Sequence, residues 1–206
     1  MIAVPGTSLT KAWIAATAEL ARAGGDAFSL VVSIADPKEP TGRDAEARRY
    51  LDKVLTDAGL QDTQAVANTI FPVALAKGRT AEQLYETYGT KTSSVLRRFP
   101  QNRHGTYFLR LIKRDSHRKP QVISRNPLDE LINKMRGELE RGKGTLRCAY
   151  ELAVYDPLDD AKMRMGFPCL SHISLKLDSP ERLLHLTALY RNQQYIERAY
   201  GNFLGL

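Results

Sequence analysis

Residues 166–178 read Gly-Phe-Pro-Cys-Leu-Ser-His-Ile-Ser-Leu-Lys-Leu-Asp, and this stretch decides how the C-terminal part of the chain folds. Ile173, Leu175 and Leu177 alternate with polar residues, which predicts a β-strand with one buried face. Residues 179–182 (Ser-Pro-Glu-Arg) predict a turn, and a second alternating set then predicts a second strand. This second set comprises Leu184, Leu186, Ala188 and Tyr190.

Helices and strands are also predicted on both sides of this stretch. A final helix begins near Asn192, with Tyr195, Ile196, Ala199, Tyr200 and Phe203 facing inward. Upstream, helices are predicted from Leu9 to the Gly24-Gly25 pair, over 44–58, over 80–88 and over 126–141, and a strand is predicted over 147–155. Because no repeat or linker interrupts this order, the sequence predicts a single α/β (α+β) domain over residues 1–206.

Two upstream elements carry specific expectations about burial. Residues 28–34 (Phe-Ser-Leu-Val-Val-Ser-Ile) are apolar almost throughout, which predicts a strand buried on both faces. In the helix over 44–58, the spacing predicts that Tyr50, Leu51, Val54 and Leu55 face inward.

Composition and charge limit the class of protein. No apolar run approaches the roughly 18 residues of a membrane span, and the N-terminus lacks the layout of a signal peptide, so we expect no membrane partner and a cytoplasmic location. The net charge of +7 favours anionic ligands. The basic, irregular stretch over 91–119 is either an anion-binding face or a solvated surface. We favour the surface, since no nucleic-acid-binding motif accompanies it.

Cys169 is the best candidate for a nucleophile. With only two cysteines and no export signal, both are expected to be thiols, and a thiolate forms more readily near cations such as Arg191 or His172. The alternative is that Cys169 is a small buried residue, the commonest fate of a lone cysteine. Cys148, placed mid-strand, is better explained as structural.

Arg191 and Asn202 are candidate ligand-binding residues. Arg191 ends a strand, where a guanidinium could bind a phosphate through two parallel hydrogen bonds. Asn202 follows it by eleven residues, close to three helical turns, and its amide could read a pyrimidine edge. Each could instead be structural. The four histidines lack the spacing of a metal site, so no metal is predicted.

Pro168-Cys169, two strands, Tyr190-Arg191 and Asn202 together resemble the active-site half of the thymidylate synthase family. The resemblance is specific over 166–206 and topological before it. It implies a mixed β-sheet flanked by helices, with Cys169 attacking C6 of the uracil of dUMP, Arg191 binding the 5′-phosphate and Asn202 reading the base. It also implies 5,10-methylenetetrahydrofolate as carbon donor, a cytoplasmic enzyme and a homodimer joined through sheet faces.

Further residues enter the predicted site through this resemblance. Tyr107 falls in the region of the family's active-site tyrosine, and Arg147 in that of its paired phosphate-binding arginines. Asn192 stands where the family has a serine after the arginine, and His172 follows the cysteine later than the family's histidine does. The family's proton-relaying glutamate has no counterpart near Asn68.

Three functions therefore remain open. The first is a transferase that methylates or hydroxymethylates C5 of a pyrimidine nucleotide through a cysteine adduct. The second is a catalytically weakened nucleotide-binding or assembly subunit of the same fold, favoured by the missing glutamate and by the end at Gly205-Leu206, which indicates a truncated or divergent member. The third, a nucleic-acid-binding protein, has only charge in its favour.

Overall fold

A computed structural model describes residues 1–38, 40–99, 102, 105–116, 123–142 and 148–206. The chain divides into two compact units. Unit 1 comprises residues 1–72 and 193–206, and unit 2 comprises residues 73–192. The prediction that helices and strands combine in an α/β (α+β) architecture is confirmed, and the assignment of 1–206 to a single domain stays a prediction. None of the helices in the described ranges has the length and apolar content of a membrane span.

Unit 1 begins with a strand–helix–strand unit. Strand β1 (Ile2–Ser8) pairs in parallel with β2 (Leu30–Asp36), and helix α1 (Leu9–Arg22) connects them. The side chain of Ser8 accepts a hydrogen bond from the backbone N–H of Lys11, which caps α1 at the predicted position. The predicted first helix is thus confirmed. Strand β1 was not predicted, because Pro5 and Gly6 within it are typical of a loop.

The expectation that the first strand is buried on both faces is wrong. Phe28 lies before β2 and is fully exposed, and Val31 is 51% exposed. In the described part of the chain, β1 and β2 pair only with each other, so each keeps an open edge. Leu30, Val32 and Ile34 are half-buried, whereas the residues between them are exposed. The apolar run therefore forms a strand that is covered on one face.

The remaining helices of unit 1 pack around Tyr200. They are α2 (Gly42–Asp57), α3 (Thr63–Ala67), a π-helical turn (Tyr195–Ala199) and α9 (Tyr200–Gly205). Leu51, Leu55 and Tyr200 form a buried cluster, and Thr10 Oγ1 shares a hydrogen bond of 2.6 Å with the Tyr200 hydroxyl. A β-carbon at Gly201 would lie 2.5 Å from Cβ of Val66, so α9 approaches α3 at a distance that only glycine permits.

Three side chains predicted to face inward in unit 1 are instead exposed. They are Tyr50 (72% exposed), Val54 (44%) and Ile196 (47%). Only one narrow stripe of α2 is buried, at Leu51 and Leu55, so the inward face is narrower than the apolar pattern implied.

Unit 2 contains five α-helices among the described residues, and the two that were predicted, over 80–88 and 126–141, are confirmed. The five are α4 (Val73–Ala76), α5 (Ala81–Thr87), α6 (Ser93–Leu96), α7 (Tyr107–Ile112) and α8 (Pro127–Arg141). Thr80 and Gln83 form a capping box at α5, Asn126 caps α8, and Gly142 ends α8 in the left-handed conformation. The stretch predicted to be irregular contains a π-helical turn (Tyr88–Thr92), α6 and α7, and part of it lies outside the described residues.

The strands of unit 2 form two antiparallel sheets. One pairs β3 (Arg114–Ser116) with β4 (Ile123–Arg125), and the other has the order β5 (Tyr150–Ala153), β6 (Leu170–Asp178), β7 (Leu183–Tyr190). Among the described residues, the strands thus form three small sheets, each purely parallel or purely antiparallel, in place of one mixed sheet.

The predicted alternation along β6 is confirmed, because Ile173 and Leu175 are buried and pack with Tyr150 and Leu152 of β5. Strand β7 is an edge strand, and the predicted inward residues Leu184 and Leu186 are 53% and 38% exposed.

Candidate functional site in unit 2

The start of β6 and the end of β7 bring Cys169 and Arg191 together. Leu170 pairs with Tyr190 across the two strands. Cys169, which precedes Leu170, and Arg191, which follows Tyr190, therefore lie at the same end of the sheet. There the backbone N–H of Arg191 donates to the carbonyl oxygen of Cys169 over 2.9 Å. Two candidate residues that are 22 positions apart in the sequence are therefore held side by side by the strand register.

The side chain of Arg191 is seated on the backbone that precedes Cys169. Its Nε donates to the carbonyl oxygen of Pro168, and its Nη2 to that of Phe167, each over 3.0 Å. The guanidinium carbon lies 3.7 Å from the centroid of the Phe167 ring, which adds a cation–π contact. We call this arrangement of Phe167, Pro168 and Arg191 the Arg191 seat.

The Arg191 seat leaves the charge of the guanidinium available. A guanidinium has five N–H donors, and two of them are engaged by the carbonyl oxygens of Phe167 and Pro168. In the part of the chain that the structure describes, no carboxylate pairs with Arg191. Its side chain is exposed, so three N–H groups and a full positive charge can meet an anion from solution.

Cys169 is partly exposed, so a molecule from solution can reach it. The alternative of a fully buried structural cysteine does not fit this exposure. Cys148 is also exposed, but it lies in a turn before β5 and not within a strand as predicted. The two thiols thus differ in their surroundings and can serve as matched probes.

Tyr190 lies near Cys169 and packs against Tyr107. Tyr107 begins α7, and its ring meets that of Tyr190 edge-on, with the centroids 6.5 Å apart. The Tyr190 hydroxyl is buried and has no hydrogen-bond partner among the described residues. Burial raises the pKa of Tyr190 far above its usual range, and negative charge on Tyr107 or Cys169 raises that pKa further. Tyr190 therefore stays neutral at physiological pH. Sequence reasoning treated Tyr190 as a core residue, although its place directly before Arg191 was a usable signal.

His172 binds Glu151 across the sheet. A ring nitrogen of His172 hydrogen-bonds the Glu151 carboxylate, which also accepts from Ser174 Oγ over 2.8 Å. The hydrogen bond with His172 holds the pKa of Glu151 below its usual value. His172 is thus engaged on the face of the sheet that bears Glu151. Asn192 is exposed, and Arg147 lies outside the described residues.

Asn202 belongs to unit 1, whereas Cys169 and Arg191 belong to unit 2. It is 3% exposed, and its Nδ2 donates to Oε1 of Gln193 over 3.2 Å. This hydrogen bond fixes the orientation of the amide within α9. The expectation that Asn202 and Arg191 face the same ligand stays a prediction.

An ion pair that the sequence did not reveal lies upstream of Cys169. Asp160 is fully buried in a 3-10 turn (Asp160–Lys162), and its carboxylate accepts from Arg110 Nη1 at 2.7 Å and Nη2 at 2.9 Å. Burial acts to raise the pKa of Asp160, but hydrogen bonds from Arg110 and from the Asp156 backbone outweigh it, so that pKa lies below its usual value. Asp160 lies in a stretch of mostly polar residues, and no local pattern distinguishes this aspartate from Asp159.

Comparisons with protein-family models, with curated proteins and with solved structures found no significant match to this chain. Within the described ranges, no group of three or more histidine, cysteine, aspartate or glutamate side chains is arranged to hold a metal ion.

Proposed function

We propose that this protein is a thymidylate synthase-like transferase that alkylates C5 of a pyrimidine nucleotide such as dUMP through a covalent adduct of Cys169. The observation that carries the proposal is the Arg191 seat, which holds an exposed guanidinium cation on the backbone that leads to the partly exposed Cys169. The same cation can bind a phosphate dianion through its remaining N–H groups.

The proposed first step is the addition of the Cys169 thiolate to C6 of the pyrimidine ring. The Sγ–C6 bond forms, the C5=C6 π bond breaks, and its electron pair moves to C5 and the C4 oxygen as an enolate. C5 then becomes a carbon nucleophile that can take a one-carbon unit. In this scheme Arg191 binds the 5′-phosphate, whereas Asn202, Asn192, His172, Arg147 and Tyr107 keep the substrate-binding roles that the resemblance implies.

The carbon donor implied by the resemblance is 5,10-methylenetetrahydrofolate, for methylation or hydroxymethylation. The side chains with described contacts in the Arg191 seat and at Tyr190 are those of Phe167, Tyr190, Tyr107 and Arg191. This set offers aromatic surface but no carboxylate or amide that would pair with the hydrogen-bonding edge of a pterin. These residues do not form a folate site by themselves, and we derive no step through the folate.

Trapping with 5-fluoro-dUMP and methylenetetrahydrofolate, read by intact mass and peptide mapping, tests the proposal. We expect a stable adduct on the peptide containing Cys169, in the parent protein and in Cys148→Ser, and none in Cys169→Ser. Because both thiols are accessible, Cys148→Ser controls for nonspecific alkylation. Nucleotide binding without an adduct, unchanged in Cys169→Ser, would favour the alternative of a nucleotide-binding or assembly subunit.

The homodimer belongs to the same proposal. Leu189 and Leu183 lie opposite His172 and Asp178, on the face of the β5–β7 sheet that bears Glu151. They are 61% and 52% exposed and lie at opposite ends of β7, with His185 and Thr187 between them on that face, so each end of the strand exposes apolar surface. Light scattering should give twice the chain mass, and Leu189→Lys should lower it towards that of a monomer. A monomeric parent protein would remove the dimer from the proposal.

A further inference from the structure

The buried pair of Arg110 and Asp160 lies at the centre of the contacts that hold the segment leading to Cys169. Besides its two hydrogen bonds from Arg110, the Asp160 carboxylate accepts one from the backbone N–H of Asp156 over 2.8 Å. Three donors thus converge on one carboxylate that water does not reach. We call Arg110, Asp156 and Asp160 the Asp160 clip.

The Asp160 clip connects helix α7 to the strand end beside Cys169. Arg110 lies in α7, three positions after Tyr107. On the other side, the backbone N–H groups of Val154 and Tyr155 both donate to the carbonyl oxygen of Ser171, over 2.9 and 3.0 Å. Ser171 is two residues beyond Cys169. The clip therefore fixes α7 and the start of β6 to the same short segment, residues 154–160.

Tyr155 connects the segment held by the Asp160 clip to the Arg191 seat. Its ring packs against that of Phe167 with the centroids 6.0 Å apart, and Phe167 in turn supplies both a carbonyl oxygen and a ring face to Arg191. The chain between Asp160 and Phe167 is short and mostly irregular, with a left-handed glycine at 166. Contacts at its two ends, rather than regular hydrogen bonding along it, therefore determine where Phe167 lies.

We infer that Arg110 and Asp160 are positioning residues for the reaction of Cys169: they hold Phe167, and through it the Arg191 guanidinium, at the backbone that leads to Cys169. This inference rests on the proposed role of Cys169. A positioning role accounts for the full burial of the Asp160 carboxylate in a loop where the neighbouring residues Asp159 and Ala161 are exposed. Without the clip, the chain would still contain Arg191 and Cys169, but the cation would no longer have a fixed seat.

The test measures the intrinsic reactivity of Cys169 with iodoacetamide, a neutral probe, so that no nucleotide or folate is needed. Rate constants for alkylation at pH 7.0 and pH 9.5 are obtained by peptide mass spectrometry. The rate constant at pH 7.0 divided by that at pH 9.5 reports how readily the thiolate forms, because access of the probe to the thiol affects both rate constants equally. Cys148 in the same molecule provides the internal reference. We expect the ratio for Cys169 to fall roughly three- to tenfold in Asp160→Asn, the order of effect of a nearby cation on a thiol, with no change for Cys148.

Two further variants keep the test decisive. Arg110→Met combined with Asp160→Leu removes both charges, so no buried charge is left unpaired, although the backbone N–H of Asp156 loses its acceptor. The double variant should therefore fold even where Asp160→Asn does not, and its Cys169 ratio should fall as well. Glu130→Gln disrupts the exposed pair with Arg125 in the same unit and should leave the ratio unchanged. An unchanged ratio in the folded double variant would overturn the inference. Failure of the 5-fluoro-dUMP trap would instead overturn the proposed function, so the two failures are distinguishable.

Discussion

Arg110 and Arg191 use the same side chain in opposite ways. Arg110 is 20% exposed and gives two parallel hydrogen bonds to a fully buried carboxylate, so the two charges cancel. Arg191 is exposed and is held by two carbonyl oxygens and an aromatic ring, which are all neutral. The first arrangement fixes a loop and the second presents a charge. The partner of an arginine, rather than its position in the sequence, thus distinguishes a structural role from a ligand-binding one.

The largest expected effect is on stability, at the Asp160 clip. Asp160→Asn leaves Arg110 with a partly buried charge and no carboxylate, and should lower the free energy of unfolding by about 3–5 kcal/mol. Arg191→Gln removes only exposed contacts and should cost less than about 1 kcal/mol. Urea unfolding followed by far-UV circular dichroism measures both. Equal decreases in the free energy of unfolding in the two variants would contradict the assignment of a structural role to Arg110 and a ligand-binding role to Arg191.

The reverse ranking is expected for ligand binding. Arg191→Gln should weaken dUMP binding roughly tenfold to a hundredfold, because hydrogen bonds to a charged group contribute about 1.5–3 kcal/mol. Isothermal titration calorimetry gives the dissociation constants, and Glu130→Gln is the control for a lost charge pair elsewhere in unit 2. Unchanged affinity in Arg191→Gln would remove Arg191 from the nucleotide site.

Acidification should weaken the Asp160 clip. Because the pKa of Asp160 is lower in the folded state than in the unfolded chain, its stabilising contribution is present above the unfolded value of about 4 and is lost as pH falls through the folded value. The stability difference between the parent protein and Asp160→Asn should therefore shrink between pH 7 and pH 3. Denaturant unfolding at both values checks this, and an equal difference at pH 3 would contradict the ionised pair.

The smallest expected effect concerns the ring of Phe167. Phe167→Leu removes the cation–π contact but keeps the backbone carbonyl, so dUMP affinity should fall by about two- to fivefold, corresponding to about 0.5–1 kcal/mol. Phe99→Leu, at a half-exposed phenylalanine in the same unit, is the matched control. A loss as large as that of Arg191→Gln would show that the ring, rather than the carbonyl oxygens, holds the guanidinium.

Local patterns predicted helices α1, α2, α5 and α8 and the alternation of β6, because caps and hydrophobic periodicity act over a few residues. They missed the short helices α3, α4, α6 and α7. They failed where burial depends on distant partners. The apolar run before Ile34 is covered on one face only, and the exposed Leu184 and Leu186 lie on an edge strand. The residues at 169 and 191 were identified as candidates from their order in the chain. Their actual contacts depend on the strand register, which the sequence alone does not give.

The contacts of the Asp160 clip also could not be predicted from local sequence patterns. Arg110 and Asp160 are fifty positions apart, and each lies in a segment whose composition suggests something else: an apolar run for Arg110 and a polar loop for Asp160. A buried ion pair needs both partners and their shared surroundings to be known together. No residue pattern along the chain carries that information.

Hydrogen exchange at C5 of dUMP tests the central claim most directly, since it follows the Cys169 adduct without a carbon donor. Addition of the thiolate to C6 creates an enolate that takes up a deuteron from D₂O at C5, and reversal returns dUMP labelled at that carbon. We predict loss of the C5–H signal in the proton NMR spectrum with the parent protein and with Cys148→Ser. Exchange no faster than that seen with Cys169→Ser would contradict the assignment of Cys169 as the nucleophile.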